Sequence, residues 1–169
     1  MRVKKSLIEQ VVREFVNEQT NNSSFSKWFE GSKAKKGNSP IVFLHGTSQY
    51  FNTFSRKSRG AFGAGYYFTT DKKEALGYGS KVVKVYLSIK NPATTKDVQA
   101  IMTKIPDVRY LDDVELANKT TSGLVGSGFD GIIFNYPSGD LLAMVINPNQ
   151  IKSVDNDGSW DIDDDNIYS

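Results

Sequence analysis

A predicted β-hairpin near the C-terminal end of the chain constrains the fold more than any other stretch. Residues 131–135 and 141–146 are mostly apolar, and they are joined by the turn-forming residues Pro137-Ser138-Gly139-Asp140. A connection this short can join only antiparallel strands, because a parallel crossover needs a dozen or more residues. The sheet therefore contains an antiparallel pair, and a doubly wound parallel sheet is not predicted.

Helices and further strands precede this hairpin. Strands are predicted at 41–44 and at 81–89, where Val83, Val85, Leu87 and Ile89 alternate with polar positions. Helices are predicted at 5–19, around Phe25, Trp28 and Phe29, at 72–78 after a Thr70-Asp71 cap, after Thr94-Thr95, and after Pro106. Residues 32–40 and 48–64 are predicted as loops and 123–128 as a turn. The pattern predicts an α+β fold, and Trp28 is expected in its core.

Composition sets limits on the organisation of the chain. Its 169 residues, 38% of them hydrophobic, predict one domain with an N-terminal helical region (1–40), a core (41–154) and an acidic C-terminal segment (155–169). Cysteine is absent, which excludes disulfides, thiolate nucleophiles and cysteine metal sites. No signal sequence or membrane span is recognised, so a cytoplasmic protein is expected, in the producing cell or in a target cell.

Charge is unevenly distributed around a formal net value of +2. Basic side chains crowd residues 33–59 and acidic side chains crowd residues 155–165. The basic cluster would suit a phosphate backbone, whereas the alternative is that both clusters are solvated surface segments.

A candidate ligand site follows the first predicted strand of the core. That strand ends on His45 and Gly46, which places an imidazole beside unobstructed backbone. Glycines then precede Tyr66 and Tyr67, whose side chains point to opposite faces of a strand, so that one of them belongs to the core. The predicted helix at 72–78 ends on Tyr78, and a buried helix residue is the competing interpretation of that tyrosine. No Gly-x-Gly-x-x-Gly opens a helix after the first strand, so a Rossmann dinucleotide site is not supported.

The order of these motifs resembles a known family. His-Gly-Thr at 45–47, Gly-Ala-Gly-Tyr-Tyr-Phe at 63–68 and a helix carrying Tyr78 resemble ADP-ribosyltransferases of the diphtheria-toxin and poly(ADP-ribose) polymerase type. Gly-Phe-Asp-Gly-Ile-Ile at 128–133 and Asn-Pro-Asn-Gln-Ile-Lys-Ser at 147–153 are similar to the closing motifs of such domains in phage and mobile-element polyvalent proteins. The resemblance implies two packed, mainly antiparallel sheets with flanking helices and a central cleft for NAD⁺.

The resemblance also implies roles for individual residues. His45 is expected to hydrogen-bond a ribose hydroxyl, Gly46 to offer its backbone to the carboxamide, and Tyr67 and Tyr78 to sandwich the nicotinamide ring. Gly46 is expected to be glycine so that the ligand can approach. Residues 48–64 would cover the donor, with Arg56 or Arg59 meeting the pyrophosphate. Further residues expected to bind the donor are Thr47, Phe54, Gly65 and Leu142.

One position departs from the family pattern. Polymerising members carry a glutamate eight residues before the glutamine that corresponds to Gln150, and this place is Leu142. Leucine neither hydrogen-bonds a ribose hydroxyl nor activates an acceptor, so chain elongation is expected to fail. Asp140 is the nearest candidate replacement and is predicted as the third catalytic residue beside His45 and Tyr67, although it is equally a plausible turn residue.

These expectations describe a mono-ADP-ribosyltransferase of bacterial or phage type, acting as a toxin, a host-modifying enzyme or a defence enzyme. Its donor substrate is NAD⁺, no metal is expected, and its partners would be a protein or nucleic-acid acceptor and an antitoxin or inhibitor protein. Two alternatives stay open: a module that binds NAD⁺ without transfer, and an NAD⁺ glycohydrolase that uses water as acceptor.

Overall fold

The fold is built on one large mixed sheet with helices around it. In a computed structural model of the protein, which describes residues 10, 11, 14 and 23–169, seven strands pair in the order β6-β7-β8-β4-β3-β5-β9. Only β6 and β7 pair in parallel, and the other neighbours are antiparallel. The predicted α+β class is confirmed. The predicted helix at 5–19 lies outside the described residues for most of its length.

Helices and strands are interspersed along the part of the chain that the structure describes. The helices are α1 (Ser23–Phe29), α2 (Lys72–Leu76), α3 (Thr95–Met102) and α4 (Asp113–Gly126), with short 3-10 turns at Val108–Tyr110 and Pro148–Gln150. The strands are β1 (Lys35–Lys36), β2 (Ser39–Pro40), β3 (Phe43–Thr47), β4 (Tyr66–Thr69), β5 (Lys81–Leu87), β6 (Pro92–Ala93), β7 (Gly131–Asn135), β8 (Leu141–Val145) and β9 (Ile151–Ser153). Strands β1 and β2 form a separate two-stranded hairpin inside the segment predicted as a loop.

The seven-stranded sheet consists of two halves that separate between β3 and β4. These two strands share one residue pair, Leu44 with Thr69, whereas β3 pairs with β5 at five positions and β4 with β8 at four. The resemblance predicted two packed sheets. The structure instead keeps the halves hydrogen-bonded at this one pair and opens a cleft beyond it.

Local side-chain chemistry sets the helix ends. Asp71 caps α2 by accepting a hydrogen bond from the Lys73 amide, which confirms the cap predicted at Thr70-Asp71. Helices α3 and α4 begin with complete capping boxes, Thr94 with Asp97 and Asp112 with Glu115. The predicted turn at 123–128 is wrong over its first four residues, because α4 continues to Gly126. Gly123 is retained inside that helix because a β-carbon there would overlap the Ile101 side chain of α3.

Three apolar clusters fill the interior. The largest contains residues of both sheet halves, including Phe43, Phe68, Val85 and Val145. A second packs α3 and α4 against β7 and β8. The third is aromatic and joins α1 to the C-terminal segment through Phe25, Trp28, Tyr86 and Trp160. Trp28 is 2% exposed, so its predicted place in the core is confirmed.

The acidic C-terminal segment is folded against the sheet. The Lys152 side chain of β9 is fully buried, and its ammonium donates hydrogen bonds to the carbonyls of Asp164 (2.8 Å) and Asn166 (2.9 Å). Burial lowers the pKa of Lys152, while Asp164 and neighbouring carboxylates act in the opposite direction. Ile167 is also fully buried. The backbone of the segment thus packs on the sheet, while five of its six aspartates are exposed, as the alternative of a solvated acidic cluster predicts.

None of the helices in the part of the chain that the structure describes has the length and apolar character needed to cross a bilayer. Within the same residues, no cluster of three or more histidine, aspartate or glutamate side chains is arranged to hold a metal ion.

Candidate active site

A cleft of about 310 Å³ opens where β3 and β4 diverge. This volume is at the lower end of the range for small-molecule sites. Its walls are formed by strands β3, β4 and β8, by helix α2 and by the loop at 48–65. The lining residues are Leu44, His45, Gly46, Lys57, Arg59, Gly60, Ala61, Tyr67, Phe68, Thr69, Glu74, Ala75, Tyr78 and Leu142.

His45 is held as a neutral imidazole with a defined tautomer. Its Nδ1 lies 2.9 Å from the carbonyl oxygen of Tyr67, and because a carbonyl can only accept, Nδ1 carries the proton. Burial lowers the pKa of His45 below 6.5; the hydrogen bond to Tyr67 opposes this shift, and the positive charge of Lys57 adds to it. The Phe54 ring meets the imidazole edge-on at 4.9 Å between centroids. Near neutral pH, Nε2 is thus the hydrogen-bond acceptor of the ring.

Tyr67 is fixed beneath the loop that covers the cleft. Its hydroxyl donates to the Gly63 carbonyl at 2.6 Å and accepts from the Phe62 amide at 3.2 Å. Burial raises the pKa of Tyr67 to about 12, with the Phe62 amide acting against it, so the phenol stays neutral. Gly60 passes so close that a β-carbon there would overlap the Tyr67 hydroxyl. The neighbouring Tyr66 is buried in the main core, as expected for residues on opposite faces.

Tyr78 stands at the open side of the cleft. It is 66% exposed, which rules out the interpretation of a buried helix residue. The Lys57 ammonium lies over its ring, 4.7 Å from the centroid. The Tyr78 ring thus offers a flat aromatic wall to the cleft, and the long cationic side chain of Lys57 rests on it.

Gly46 is required by packing within the protein. A β-carbon at this position would overlap the carbonyl of Ala75 in α2 and would lie 3.2 Å from the Tyr78 β-carbon. The expected reason for glycine was ligand approach. The contacts give a second reason, because glycine lets α2 lie directly on β3, which positions Tyr78 at the cleft; the expected ligand contact stays a prediction.

The structure brings together five of the residues predicted for the site, namely His45, Gly46, Tyr67, Tyr78 and Leu142. Four predicted donor contacts lie outside the lining. Phe54 packs behind His45, and the Thr47 hydroxyl donates to the Gln49 carbonyl. Arg56 donates to the Ala64 carbonyl. Gly65 forms an isolated β-bridge with Lys57 and packs on β8. Between the two arginines left open by the sequence, Arg59 is the one that lines the cleft.

Asp140 also lies outside the lining. Its carboxylate accepts hydrogen bonds from the Ser138 hydroxyl in the turn between β7 and β8 (3.0 Å) and from the Thr70 hydroxyl just after β4 (3.3 Å). The contact with Ser138 is that of a turn residue, and the contact with Thr70 ties the turn to the end of β4. Its predicted catalytic role stays a prediction without a contact to the cleft.

Thr69 and Glu74 line the cleft and were not predicted. Glu74 stands three residues after the Asp71 cap, which is the spacing of an ordinary capping box. That spacing gave no signal of a site residue, since such glutamates are usually solvated.

Together, fold and cleft define an α+β protein whose ligand site has a neutral histidine, two tyrosine rings and two cationic side chains. This combination suits a ligand that carries both an aromatic ring and phosphate groups. The family model described as ADP-ribosyltransferase in polyvalent proteins matches residues 34–161, and the chain belongs to that family. Its reaction class is therefore ADP-ribosyl transfer.

Other comparisons are more distant. No curated protein matches the chain. Among solved structures, one titled as the crystal structure of an anti-CRISPR protein aligns with a TM-score of 0.40 and 14% identity, over 66% of this chain and 91% of that chain.

Proposed function

We propose that this chain is a mono-ADP-ribosyltransferase that takes NAD⁺ as its donor and modifies a macromolecule. The observation that carries the proposal is the meeting of His45, Tyr67 and Tyr78 in one cleft, in a chain of this family. The three residues come from β3, β4 and the end of α2, so their meeting depends on the whole fold.

The proposed binding mode uses the aromatic walls for nicotinamide. The ring would lie between Tyr67 and Tyr78, each stack contributing on the order of 1 kcal/mol. Lys57 rests on the Tyr78 ring. Because nicotinamide in NAD⁺ is itself cationic, Lys57 would have to swing away as the ring enters. Its charge, with that of Arg59, would then serve the diphosphate.

His45 would orient the ribose. Its Nε2 is left as an acceptor by the Tyr67 hydrogen bond, and a ribose hydroxyl is a matching donor. Holding the donor in one geometry supplies much of the rate, because nicotinamide is a cationic leaving group that departs as a neutral molecule.

Single-unit transfer follows from the chemistry at Leu142. This side chain lines the cleft where polymerising members of the resembled family carry a glutamate. An alkyl group cannot orient or deprotonate the hydroxyl of a growing ADP-ribose chain, so we propose that products carry one unit each.

The acceptor is proposed to be a protein or nucleic acid in the cytoplasm of the producing cell or of a target cell. A second groove, of about 360 Å³, shares Arg59, Gly60 and Ala61 with the cleft and runs beside α4. It offers an acceptor a route to the donor. A toxin, host-modifying or defence role, and control by an antitoxin or inhibitor, are consistent with a domain family of polyvalent proteins.

Labelled NAD⁺ tests the proposal directly. The protein is incubated with NAD⁺ labelled in the adenylate and with cell lysate, and the products are separated before and after protease or nuclease. Label on a macromolecule, in single units, is the expected result. Free ADP-ribose alone would point to the glycohydrolase, and binding without consumption would point to the NAD⁺-binding module. Long polymer on the acceptor would contradict the single-unit proposal.

The nature of the acceptor is tested by salt and by the basic loop. The variant carrying Arg56→Ala, Lys57→Ala and Arg59→Ala is compared with wild type between low and high salt, with NAD⁺ saturating for each protein so that the proposed donor contacts of Lys57 and Arg59 do not enter the comparison. A nucleic-acid acceptor predicts a steep fall of activity with salt in the wild type and a shallower one in the variant. A flat salt response in both proteins would favour a protein acceptor.

A further inference from the structure

Glu74 occupies a helix-capping position but does not cap its helix. It is the third residue after the Asp71 cap, as Asp97 and Glu115 are after theirs, and those two carboxylates both bond back to the amide of the capping residue. In α2 the Asp71 amide donates instead to the hydroxyl of Thr69, at 3.0 Å. The Glu74 carboxylate is thereby left for other partners.

Two hydroxyl groups hold that carboxylate at the cleft. Thr69 donates to one Glu74 oxygen at 2.6 Å, and the Tyr136 hydroxyl lies 3.5 Å from the other. Glu74 is half-buried and is the one carboxylate among the residues described as lining the cleft.

The position of Glu74 relates it to Leu142. Thr69 of β4 is the register partner of Leu142 of β8, so the two side chains share one face of the sheet. Adjacent strands are about 4.8 Å apart. Thr69 therefore lies about one strand spacing from Leu142, and the Glu74 carboxylate is hydrogen-bonded to Thr69 in the same cleft.

We propose that Glu74 supplies the catalytic carboxylate of this site. The proposal rests on the proposed function, because it needs NAD⁺ in the cleft. In the step, the bond between ribose C1′ and the nicotinamide nitrogen breaks with its electron pair going to the nitrogen, and neutral nicotinamide leaves. The Glu74 carboxylate faces the positive charge that develops on the ribose, as carboxylates do in glycoside cleavage.

The acceptor then completes the transfer. Its nucleophilic oxygen or nitrogen forms a bond to C1′, and the proton that it loses passes to water. The products are ADP-ribosylated acceptor, nicotinamide and one proton. Thr69 is a positioning residue in this scheme, because it fixes the carboxylate without touching the substrate.

The test compares Glu74→Gln with Glu115→Gln. Both changes remove one negative charge at the same position of a helix, so a purely structural role predicts equal, small effects on melting temperature and on turnover. We expect Glu74→Gln to reduce kcat for nicotinamide release by roughly 100-fold or more, while the Kd for NAD⁺ changes less than about threefold. Glu115→Gln should keep wild-type turnover.

A second variant moves the carboxylate. Adding Leu142→Glu to Glu74→Gln returns a carboxylate to the same part of the cleft, and we expect it to recover at least about tenfold of the lost rate. Melting temperatures establish that each variant is folded at the assay temperature.

The outcomes separate this inference from the proposed function. If wild type turns over NAD⁺ and Glu74→Gln does so at a similar rate, the Glu74 role is wrong and the proposed function stands. Equal losses in Glu74→Gln and Glu115→Gln would also overturn the Glu74 role. If wild type neither binds nor consumes NAD⁺ with lysate present, the proposed function fails, and this inference fails with it.

Discussion

Replacing Tyr67 by phenylalanine or by alanine separates two contributions that this residue makes. The phenylalanine keeps the ring that would stack on nicotinamide and removes only the hydroxyl. That hydroxyl connects Tyr67 to the Gly63 carbonyl and the Phe62 amide, so its loss frees the part of the covering loop nearest the cleft. The alanine removes both ring and hydroxyl.

The structure gives the expected size of each effect. Two hydrogen bonds of about 1 kcal/mol each are lost in Tyr67→Phe, which corresponds to a fall in melting temperature of roughly 4–8 °C for a chain of this size. Affinity for NAD⁺ should fall less than about threefold, since the ring stays. In Tyr67→Ala the lost stack of about 0.5–1.5 kcal/mol weakens binding by roughly 2- to 13-fold. Transfer should fall by at least about 100-fold, because the donor is no longer held in one geometry.

The assay measures thermal unfolding, NAD⁺ binding by calorimetry, and transfer of label from NAD⁺, all below the melting temperature of the weakest variant. A folded Tyr67→Ala protein with wild-type NAD⁺ affinity and wild-type transfer would refute the placement of nicotinamide against Tyr67. A Tyr67→Phe protein with unchanged melting temperature would show that the hydroxyl does not anchor the loop.

Three further predictions concern the imidazole, the glycine beneath α2 and the buried lysine. His45 is the one histidine of the sequence, so its ring signal in proton NMR can be followed alone and should titrate below pH 6.5, and a midpoint at 6.5 or higher would contradict the burial described. Because the folded state binds the proton more weakly than the unfolded state, the stability that depends on this group should hold above pH 6.5 and fall below it. Gly46→Ala should lower the melting temperature by several degrees, because the new β-carbon would overlap the Ala75 carbonyl, whereas Gly126→Ala, whose β-carbon would meet nothing within 4 Å, should not lower it. Equal melting temperatures of the two variants would exclude the packing explanation. Lys152→Met should leave the carbonyls of Asp164 and Asn166 without their donor, which costs about 2 kcal/mol of stability, so limited proteolysis should cut the 155–169 segment faster than in wild type. Unchanged cleavage would show that the ammonium does not hold the segment on the sheet.

Patterns that depend on near neighbours in the chain were predictable. The hairpin of β7 and β8, the alternating strand β5 and the Asp71 and Thr94 caps all follow from residues a few positions apart. The turn predicted at 123–128 failed because Gly123 is set by a contact with α3, which sequence spacing does not reveal. Helix propensity disfavours glycine, and tertiary packing overrode it.

The residues that line the cleft likewise include some that the sequence could predict and some that it could not. His45, Tyr67 and Tyr78 could be predicted because motif order marks them. Glu74 could not, because its spacing from Asp71 is that of a common cap. The hydroxyls that hold it at the cleft instead, on Thr69 and Tyr136, are not marked by that spacing. Arg56 and Arg59 differ by three residues in one loop, and their separation arises from the bond between Arg56 and the Ala64 carbonyl.

The buried C-terminal segment has a consequence for how this domain can be joined to others. The family match ends at residue 161, yet the Ile167 carbonyl accepts from the Ser153 amide of the outer strand β9, and the Ile167 amide donates to the Asn52 carbonyl in the loop beside the cleft. Ile167 thus caps a strand edge that would otherwise be open to pairing with another chain, and it also anchors the loop. A fusion or truncation placed at 161 would expose that edge and release the loop, so a joined partner is best attached beyond Tyr168.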